Sequence, residues 1–417
     1  MKLGTMKVSP IVAIILLGVI CSVIYACRHV MVVDAGQLLE RGFLFTQGEL
    51  VPFGPRSSKT NFIWGSLVSV YTGIFLAIGG TKALLGGILL TQLAGLWLLT
   101  RAKFLNVSTP FFLLFAFLFW CSPWRSSEVF IWNPSLLLPL SCLWLYGLDR
   151  CYRGDNFLGT FLIGLSVAFT IQIHNSHLFL VILTLLLWAR KQIKVDLRAA
   201  FLSIVVLLVM LIPTFIALKN NPAIMEMNQG KVSLFGNLFN FGEAVKGLLY
   251  WFRYPSFYFG ATTFQLPKII WASATLWEQA WFVIKWLVAV PSLVYVAYCN
   301  YRFFRHSRYT KLKTLCVCAI ISLISVSALS PVPFNFWHLY LVYPFALIPI
   351  ASITVERANL KPWLIGVTVY FLCYSWFSSI HSHKHRHDAD LEGQYQRRIQ
   401  QAERISEKFA PFSLKMW

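Results

Sequence analysis

Apolar residues in this chain come in runs, with little alternation. The runs lie near 10–27, 62–80, 83–100, 105–121, 131–148, 157–173, 177–190, 198–218, 279–299, 314–331, 338–354 and 362–380. Stretches such as Ile11–Leu17, Leu84–Thr100 and Phe201–Leu211 hold no charge at all. A helix needs roughly 20 apolar residues to cross a bilayer, so the pattern predicts an all-α, polytopic transmembrane bundle of about 11–13 helices. Outer-membrane barrels need a period-two alternation that this chain lacks. The longest polar interruptions are 28–61, 219–278 and 381–417. They divide the chain into a transmembrane domain, 1–380, and a basic His-rich C-terminal tail, 381–417. The domain has a first outer loop at 28–61 and a large outer loop at 219–278. No fixed-period repeat or low-complexity tract is present.

The segment 219–278 contains Pro222, Gly230, Gly236, Gly242, Pro255 and Pro267, so no long helix can cover all of it. Its aromatic stretch, Tyr250, Trp251, Phe252, Tyr254, Phe257, Tyr258 and Phe259, favours the membrane interface. Short helices lying on the bilayer surface are expected there. The competing reading is one more spanning helix around 244–260, interrupted by Lys246 and Arg253. Gly79-Gly80 and Gly86-Gly87 fall inside apolar runs and read as sites of close helix packing.

Composition agrees with the pattern. Of 417 residues, 57% are apolar and 12% charged, against about 45–50% and about 25% in an average soluble domain. Soluble enzymes, disordered chains and disulfide-stapled secreted domains are excluded. The net charge of +20 would point to nucleic acid in a soluble protein, but here basic loops beside anionic lipid account for it. The nine cysteines fall mostly inside apolar runs and form no C-x-x-C pair, so they read as small core residues. Lys2 and Lys7 before Ile11–Ile24 resemble a signal peptide, but no small-x-small cleavage site follows, and a retained first helix is expected.

Orientation follows from the basic loops. Arg302, Arg305, Arg308, Lys311 and Lys313 crowd one short loop without an acid, and Arg190, Lys191, Lys194 and Arg198 mark another. Both are expected on the cytoplasmic side, which puts 219–278, Pro331–Trp337 and the tail outside. Lys2 and Lys7 put 28–61 outside as well. Counting back through every run from Arg190 puts 28–61 inside, so one run between 62 and 190 does not span, or two are wrongly divided. The short runs 157–173 and 177–190 are the suspects.

Candidate chemistry gathers at run ends. The loop 28–61 combines Asp34, Glu40 and Glu49 with a turn-rich basic stretch around Arg56, Ser58 and Lys59. An acid just after a first transmembrane helix can act as base toward an acceptor hydroxyl or amine. The basic hydroxyl-rich turn can hold a phosphate leaving group. Gln172, His174, Asn175, Ser176 and His177 sit between two runs. They could contact phosphate or metal, or cap a helix end. Asn133 before Pro134 suits an N-cap. His338 and Tyr340 open a later run as interfacial groups. The cluster His381–His387 has imidazoles at every second position; a transition-metal face is one reading, but Lys384 and Arg386 would repel a cation, and a basic lipid-facing tail is expected.

Several of these stretches, in order, resemble a known family. Asp34-Ala-Gly-Gln-Leu-Leu-Glu-Arg-Gly, Val51-Pro-Phe-Gly-Pro-Arg-Ser-Ser and Gly65-Ser-Leu resemble the first outer loop of a family of GT-C type integral-membrane glycosyltransferases. These are the dolichyl-phosphate-mannose–protein mannosyltransferase and lipid A aminoarabinose transferase-like enzymes. Trp132-Asn-Pro-Ser-Leu-Leu-Leu-Pro, Gln172-Ile-His and His338-Leu-Tyr-Leu-Val-Tyr-Pro resemble later stretches of bacterial members. The resemblance implies a multi-pass protein of a bacterial inner membrane with its active site on the periplasmic side. It implies transfer of a sugar from a polyprenyl-phosphate carrier to a lipid, glycan or protein acceptor. Asp34 would be the catalytic acid-base residue, with Arg56, Lys59 and His174 near the donor phosphate. Glu40, Ser58, Asn133, Gln172, His177, His338 and Tyr340 would support them. Many relatives place a second acid beside that Asp, whereas Ala35 follows here. Glu40, Glu49 and Glu128 are the acids that could substitute, so no metal ligand is assigned and assistance by a divalent metal stays open. An O-antigen ligase or polymerase, or a flippase for a lipid-linked glycan, is the alternative. A flippase usually shows paired repeats and charged or broken helices at midplane, and neither is evident.

Overall fold

The computed structural model describes residues 9–56, 62–105, 107–224, 239–258, 273–330, 335–357, 359–382 and 384–416. The first helix, α1 (Pro10–Ala26), is followed by α2 (Val33–Thr46) and the short strands β1 (Glu49–Leu50), β2 (Phe53–Arg56) and β3 (Phe62–Trp64). Then come α3 (Leu67–Arg101), α4 (Thr109–Cys121), the single turn α5 (Pro123–Ser126), α6 (Leu137–Tyr152), α7 (Asn156–Ile173), α8 (His177–Ala189) and α9 (Leu197–Asn220). The second half holds α10 (Phe241–Arg253), α11 (Leu276–His306), α12 (Thr310–Ala328), α13 (Tyr343–Arg357) and α14 (Leu360–Ile380). Beyond the last long helix lie β4 (His381–Ser382), β5 (His385–Arg386), α15 (Leu391–Ile399), α16 (Ala402–Phe409) and β6 (Leu414–Lys415).

Among the described residues, 6 helices are long and apolar enough to cross a membrane: α3, α7, α9, α11, α12 and α14. Shorter apolar helices, α1, α4, α8 and the one ending the 340–356 run, join them, and the buried α6 packs between α3 and α7. The chain is a multi-pass membrane protein. Their outward apolar side chains need no partner in lipid, as Phe201, Val209, Leu287 and Val294 show by their exposure. Inside, aromatic rings carry the packing: Phe111, Phe115 and Phe119 stack one helical turn apart on α4.

The two runs expected at 62–80 and 83–100 are one helix interrupted at Gly79 and Gly80. Gly80 has φ +64°, a conformation that strains any residue with a Cβ. The two halves fold back on each other. Tyr71 and Thr91 hydroxyls meet at 3.0 Å, and a Cβ on Gly87 would strike the Phe75 ring. The first half begins at Gly65, against Gln172, and ends at Gly80, beside Glu392. Both places lie at the same end of the bundle, so this half does not cross. Counted as one crossing, α3 brings the two orientation counts into agreement, and 157–173 and 177–190 are the separate helices α7 and α8. Hydrophobicity could not show this, because a helix that turns back over apolar neighbours is as greasy as one that spans.

The helix α10 has the same 13 residues as α4 and α8 but carries Glu243, Lys246 and Arg253, where those two are uncharged apart from His177, so it is not one of the apolar helices that could cross. Its Trp251 indole donates to Asn300 at 2.8 Å, while Phe241 and Leu249 stay exposed. Short helices on the bilayer surface were expected, with one more spanning helix as the competing reading; the helix that forms is short and packs on α12. The expectations for the rest of 219–278 fall largely outside the described residues.

The C-terminal segment departs most from expectation. It is not a lipid-facing tail; it folds over the loop and helix that follow α1. The bridge His29–His385, the bond from Val30 N–H to the Lys384 carbonyl (3.0 Å) and the bond from Arg386 N–H to the Arg28 carbonyl (2.9 Å) lay β4–β5 against residues 28–30. Further on, β6 pairs antiparallel with β1. Ile405, Phe409 and Phe412 share a small core with Leu44, Val51 and Phe53. Polar groups decide the docking. Glu40, buried on α2, takes Arg398 at 2.9 Å and Lys408 at 2.7 Å. Gly36 leaves room for the Arg398 guanidinium, which a Cβ there would meet at 2.6 Å. The break in α3 exposes a fresh helix start, and Glu392 caps it by accepting from Thr81 N–H (3.2 Å) and hydroxyl (2.5 Å).

Because both cations on Glu40 are partly solvated, their joint contribution to docking is about 1 kcal/mol. Glu40→Gln is expected to raise protease cleavage within 387–401 roughly fivefold while leaving the bundle intact. Limited proteolysis in detergent, read by mass spectrometry, checks this.

Candidate functional site

One end of the bundle gathers the loop after α1, the segment 122–136, the α7–α8 turn, the turn before α13 and the C-terminal segment. Asp34 lies in the first turn of α2, where unpaired backbone N–H groups and the helix dipole favour a carboxylate. It is half-buried, and burial raises its carboxyl above the usual range while Lys384 pulls it down.

Lys384 comes from the β4–β5 turn and is itself buried. Its ammonium lies over the Trp132 ring, 3.2 Å from the centroid, and 4.8 Å from that of Phe130. Burial pushes this ammonium down to about 8, with Glu128 and Asp34 opposing the shift. Glu128 completes the group. It is buried, accepts from the Trp132 indole at 2.7 Å and from the Tyr340 hydroxyl at 2.5 Å, and is pushed up by burial against Lys384 and those two donors. Asp34 and Glu128 thus both act electrostatically on one ammonium, which has an aromatic wall beside it. His29 closes the back: its Nε2 accepts from Ile131 N–H at 2.8 Å and its ring stacks on Phe130. Burial holds it down at about 3, so it stays neutral.

The other expected residues divide. Tyr340 is in the cluster through Glu128. Asn133 is not an N-cap; its amide donates to the Ile173 carbonyl at 2.8 Å, satisfying the end of α7 and holding the His174 turn in place. His174 and His338 rings lie 5.7 Å apart. His174 Nδ1 accepts from Ser176 N–H at 3.1 Å, and His338 Nδ1 accepts from Asn335 N–H at 3.0 Å. Burial lowers His174 to about 3 and His338 to about 4, the latter helped by Lys246. Both are neutral donors or acceptors at neutral pH. His177 Nδ1 lies 3.3 Å from the His174 carbonyl, and Gln172 packs under Gly65. Glu40 is engaged by Arg398 and Lys408 rather than by Asp34. Arg56 is the last residue of β2; Ser58 and Lys59 lie outside the described residues.

Of the acids that could stand in for a second carboxylate beside Asp34, Glu128 is the one coupled to it, through Lys384. Glu49 accepts from Ser406 at 3.3 Å and belongs to the docking of the C-terminal segment. Among the described residues no three His, Cys, Asp or Glu side chains converge, and the cation facing both acids is Lys384.

Two contributors escaped sequence reasoning. Lys384 was visible only as a charge unsuited to a metal site. Arg125, fully buried on α5, donates to the carbonyls of Gly18 (3.0 Å) and Trp120 (2.8 Å) and to Ser22 (2.8 Å). It also reaches Gln92, which in turn donates to the Glu128 carbonyl at 3.0 Å. This guanidinium ties α1, α3 and α4 together beneath the acids. Its signal was an arginine in the Cys-Ser-Pro-Trp-Arg stretch at the end of an apolar run.

No family model matches the sequence, and no curated protein sequence matches it. In structure the chain is similar to ArnT from Cupriavidus metallidurans, solved bound to undecaprenyl phosphate, with a TM-score of 0.51 and 15% identity. The fold is of the GT-C type. The match covers 87% of this chain and 63% of that one, so the chain spans less than two thirds of the length of ArnT. At this identity the likeness concerns the arrangement of helices, and it agrees with the fold that the order of sequence motifs implies.

Tyr340→Phe tests the cluster. The lost hydroxyl removes a donor to a buried carboxylate, an interaction worth about 1.5–3 kcal/mol. Burial has already raised Glu128, so its ionised form is the one that costs stability, and the cost grows as pH rises through its folded value. The Tm deficit of Y340F is expected to be larger at pH 8 than at pH 5, read by thermal unfolding in detergent.

Proposed function

We propose that this protein transfers a sugar from a polyprenyl-phosphate-linked donor to a lipid, glycan or protein acceptor. The observation that carries the reading is Asp34, half-buried at the start of α2 in a GT-C type fold and facing a cation and a second acid. The basic loops 101–103, 150–153, 190–198 and 301–313 lie at the opposite end of the bundle. By charge that end is cytoplasmic and the site lies outside, in a bacterial inner membrane.

Donor and acceptor meet at membrane depth within protein walls. Asp34 takes the proton from the acceptor hydroxyl or amine as that atom forms a bond to the sugar's anomeric carbon. The bond from that carbon to the phosphate oxygen breaks, and the lipid phosphate leaves with the electron pair. A phosphate is already a good leaving group, so the protein's task is to hold it. Arg56, Lys59 and the neutral His174–His338 pair are the groups assigned to this. Donor-class specificity would come from the loop residues around that pair.

The test is purified protein in detergent with radiolabelled undecaprenyl-phosphate pentose, hexose and aminosugar donors. Asp34→Asn is expected to lower transfer or hydrolysis by about 100-fold or more, the usual scale for losing a general base. Equal turnover in both proteins removes Asp34 from the role. Absence of turnover with every donor overturns the assignment and favours transport of a lipid-linked glycan.

A further inference from the structure

The acids at this end and the group that faces them come from opposite ends of the chain. Asp34 follows α1 and Glu128 follows α4, while Lys384 follows α14 and is delivered by the short β4–β5 hairpin. Three features fix its position. The hairpin is anchored at the lysine's own carbonyl, which accepts from Val30 N–H, and at Arg386 N–H, which donates to the Arg28 carbonyl. Ser382 accepts from the backbone N–H groups of Lys384 (3.3 Å) and His385 (3.0 Å), setting the turn. The Trp132 ring lies against the ammonium, and that ring is held by its indole bond to Glu128. Asp34 on α2 and Glu128 before Trp132 are acidic, His29 after α1 is neutral, and Phe130 and Trp132 contribute π-faces.

A half-buried carboxylate is a poor base if burial keeps it protonated, since the proton acceptor must be ionised. A single fixed ammonium facing two acids corrects this without a diffusible ion. We propose that Lys384 is a positioning residue: its ammonium, held on the face of the Trp132 ring that binds Glu128, by a hairpin bonded to residues 28–30 just ahead of Asp34, supplies the positive charge that readies Asp34 to accept a proton. The proposal rests on the reading of Asp34 as the base. It makes the C-terminal segment part of the site as well as its cover.

Lys384→Met keeps the length of the side chain and its packing on Trp132 but removes the charge; Lys384→Arg keeps the charge. In the donor assay, the acid limb of kcat/KM for K384M is expected to move to higher pH. Its activity relative to wild type should therefore fall about tenfold between pH 7 and pH 5, the effect of about one pH unit. K384R should restore the wild-type limb. A second readout needs no turnover. The Tm loss of K384M should grow from pH 5 to pH 7, below the range in which the lysine itself gives up its proton, and most of it should vanish when Asp34→Asn is added, as a double-mutant cycle for interacting charges requires.

An unshifted acid limb in K384M, with D34N inactive, overturns the role of Lys384 and leaves the base intact. A K384R profile that matches K384M overturns it too, since charge would then be irrelevant. If D34N retains turnover, the base reading fails; a Tm cycle showing no coupling would then remove the pairing as well.

Discussion

Carboxylates near a membrane surface must find cations or lose their charge, because water is scarce and desolvation is costly. At the site end of this bundle Asp34, Glu40 and Glu128 all face cations from one source, the segment beyond α14: Lys384 for the first and third, Arg398 and Lys408 for the second. The exchange also runs the other way, since Glu392 of that segment caps the broken start of the second half of α3. Much of the architecture at this end follows from that pairing. The hairpin at Gly79-Gly80, the seat of α2 and the closure over the first outer loop are held by the same few charged contacts.

This arrangement links stability to chemistry. Glu40 spends both its oxygens on docking, and the docking brings Lys384 to Asp34. Beneath them, Arg125 makes its bonds to carbonyls, hydroxyls and an amide, and so serves as a tie between helices. The acids therefore sit on a rigid floor and under a cover pinned at several points. On the proposed reading of Asp34 as a base, such fixed surroundings help, because nothing need reorganise as charge develops.

Part of the site was legible in the residues themselves. Asp34 stands out as an acid directly after a first apolar run, and His174, His338 and Tyr340 as polar groups at run ends, where burial without a partner is expensive. The structure brings these to one end. Glu40 was legible as an acid in the same loop but not as an ion-pair partner of residues 358 positions and more away. Asn133 had a sufficient local explanation as a cap, and its real partner, the Ile173 carbonyl, lies on another helix. Lys384 sat in a cluster that drew notice for its histidines, because local spacing cannot show which single side chain a fold will bury.

By itself the sequence determined the class of molecule: charge-free runs of membrane length force helices, since only internally hydrogen-bonded segments survive in lipid. It also determined which end carries the basic loops, and, through the order of its motifs, the kind of fold. Tertiary structure alone decided which apolar run turns back instead of crossing, that the C-terminal segment caps the first outer loop, and which cation faces Asp34. The reason is physical. Burial in lipid is a property of composition and can be read along the chain, whereas pairing of charges depends on distances between residues that the chain itself keeps far apart.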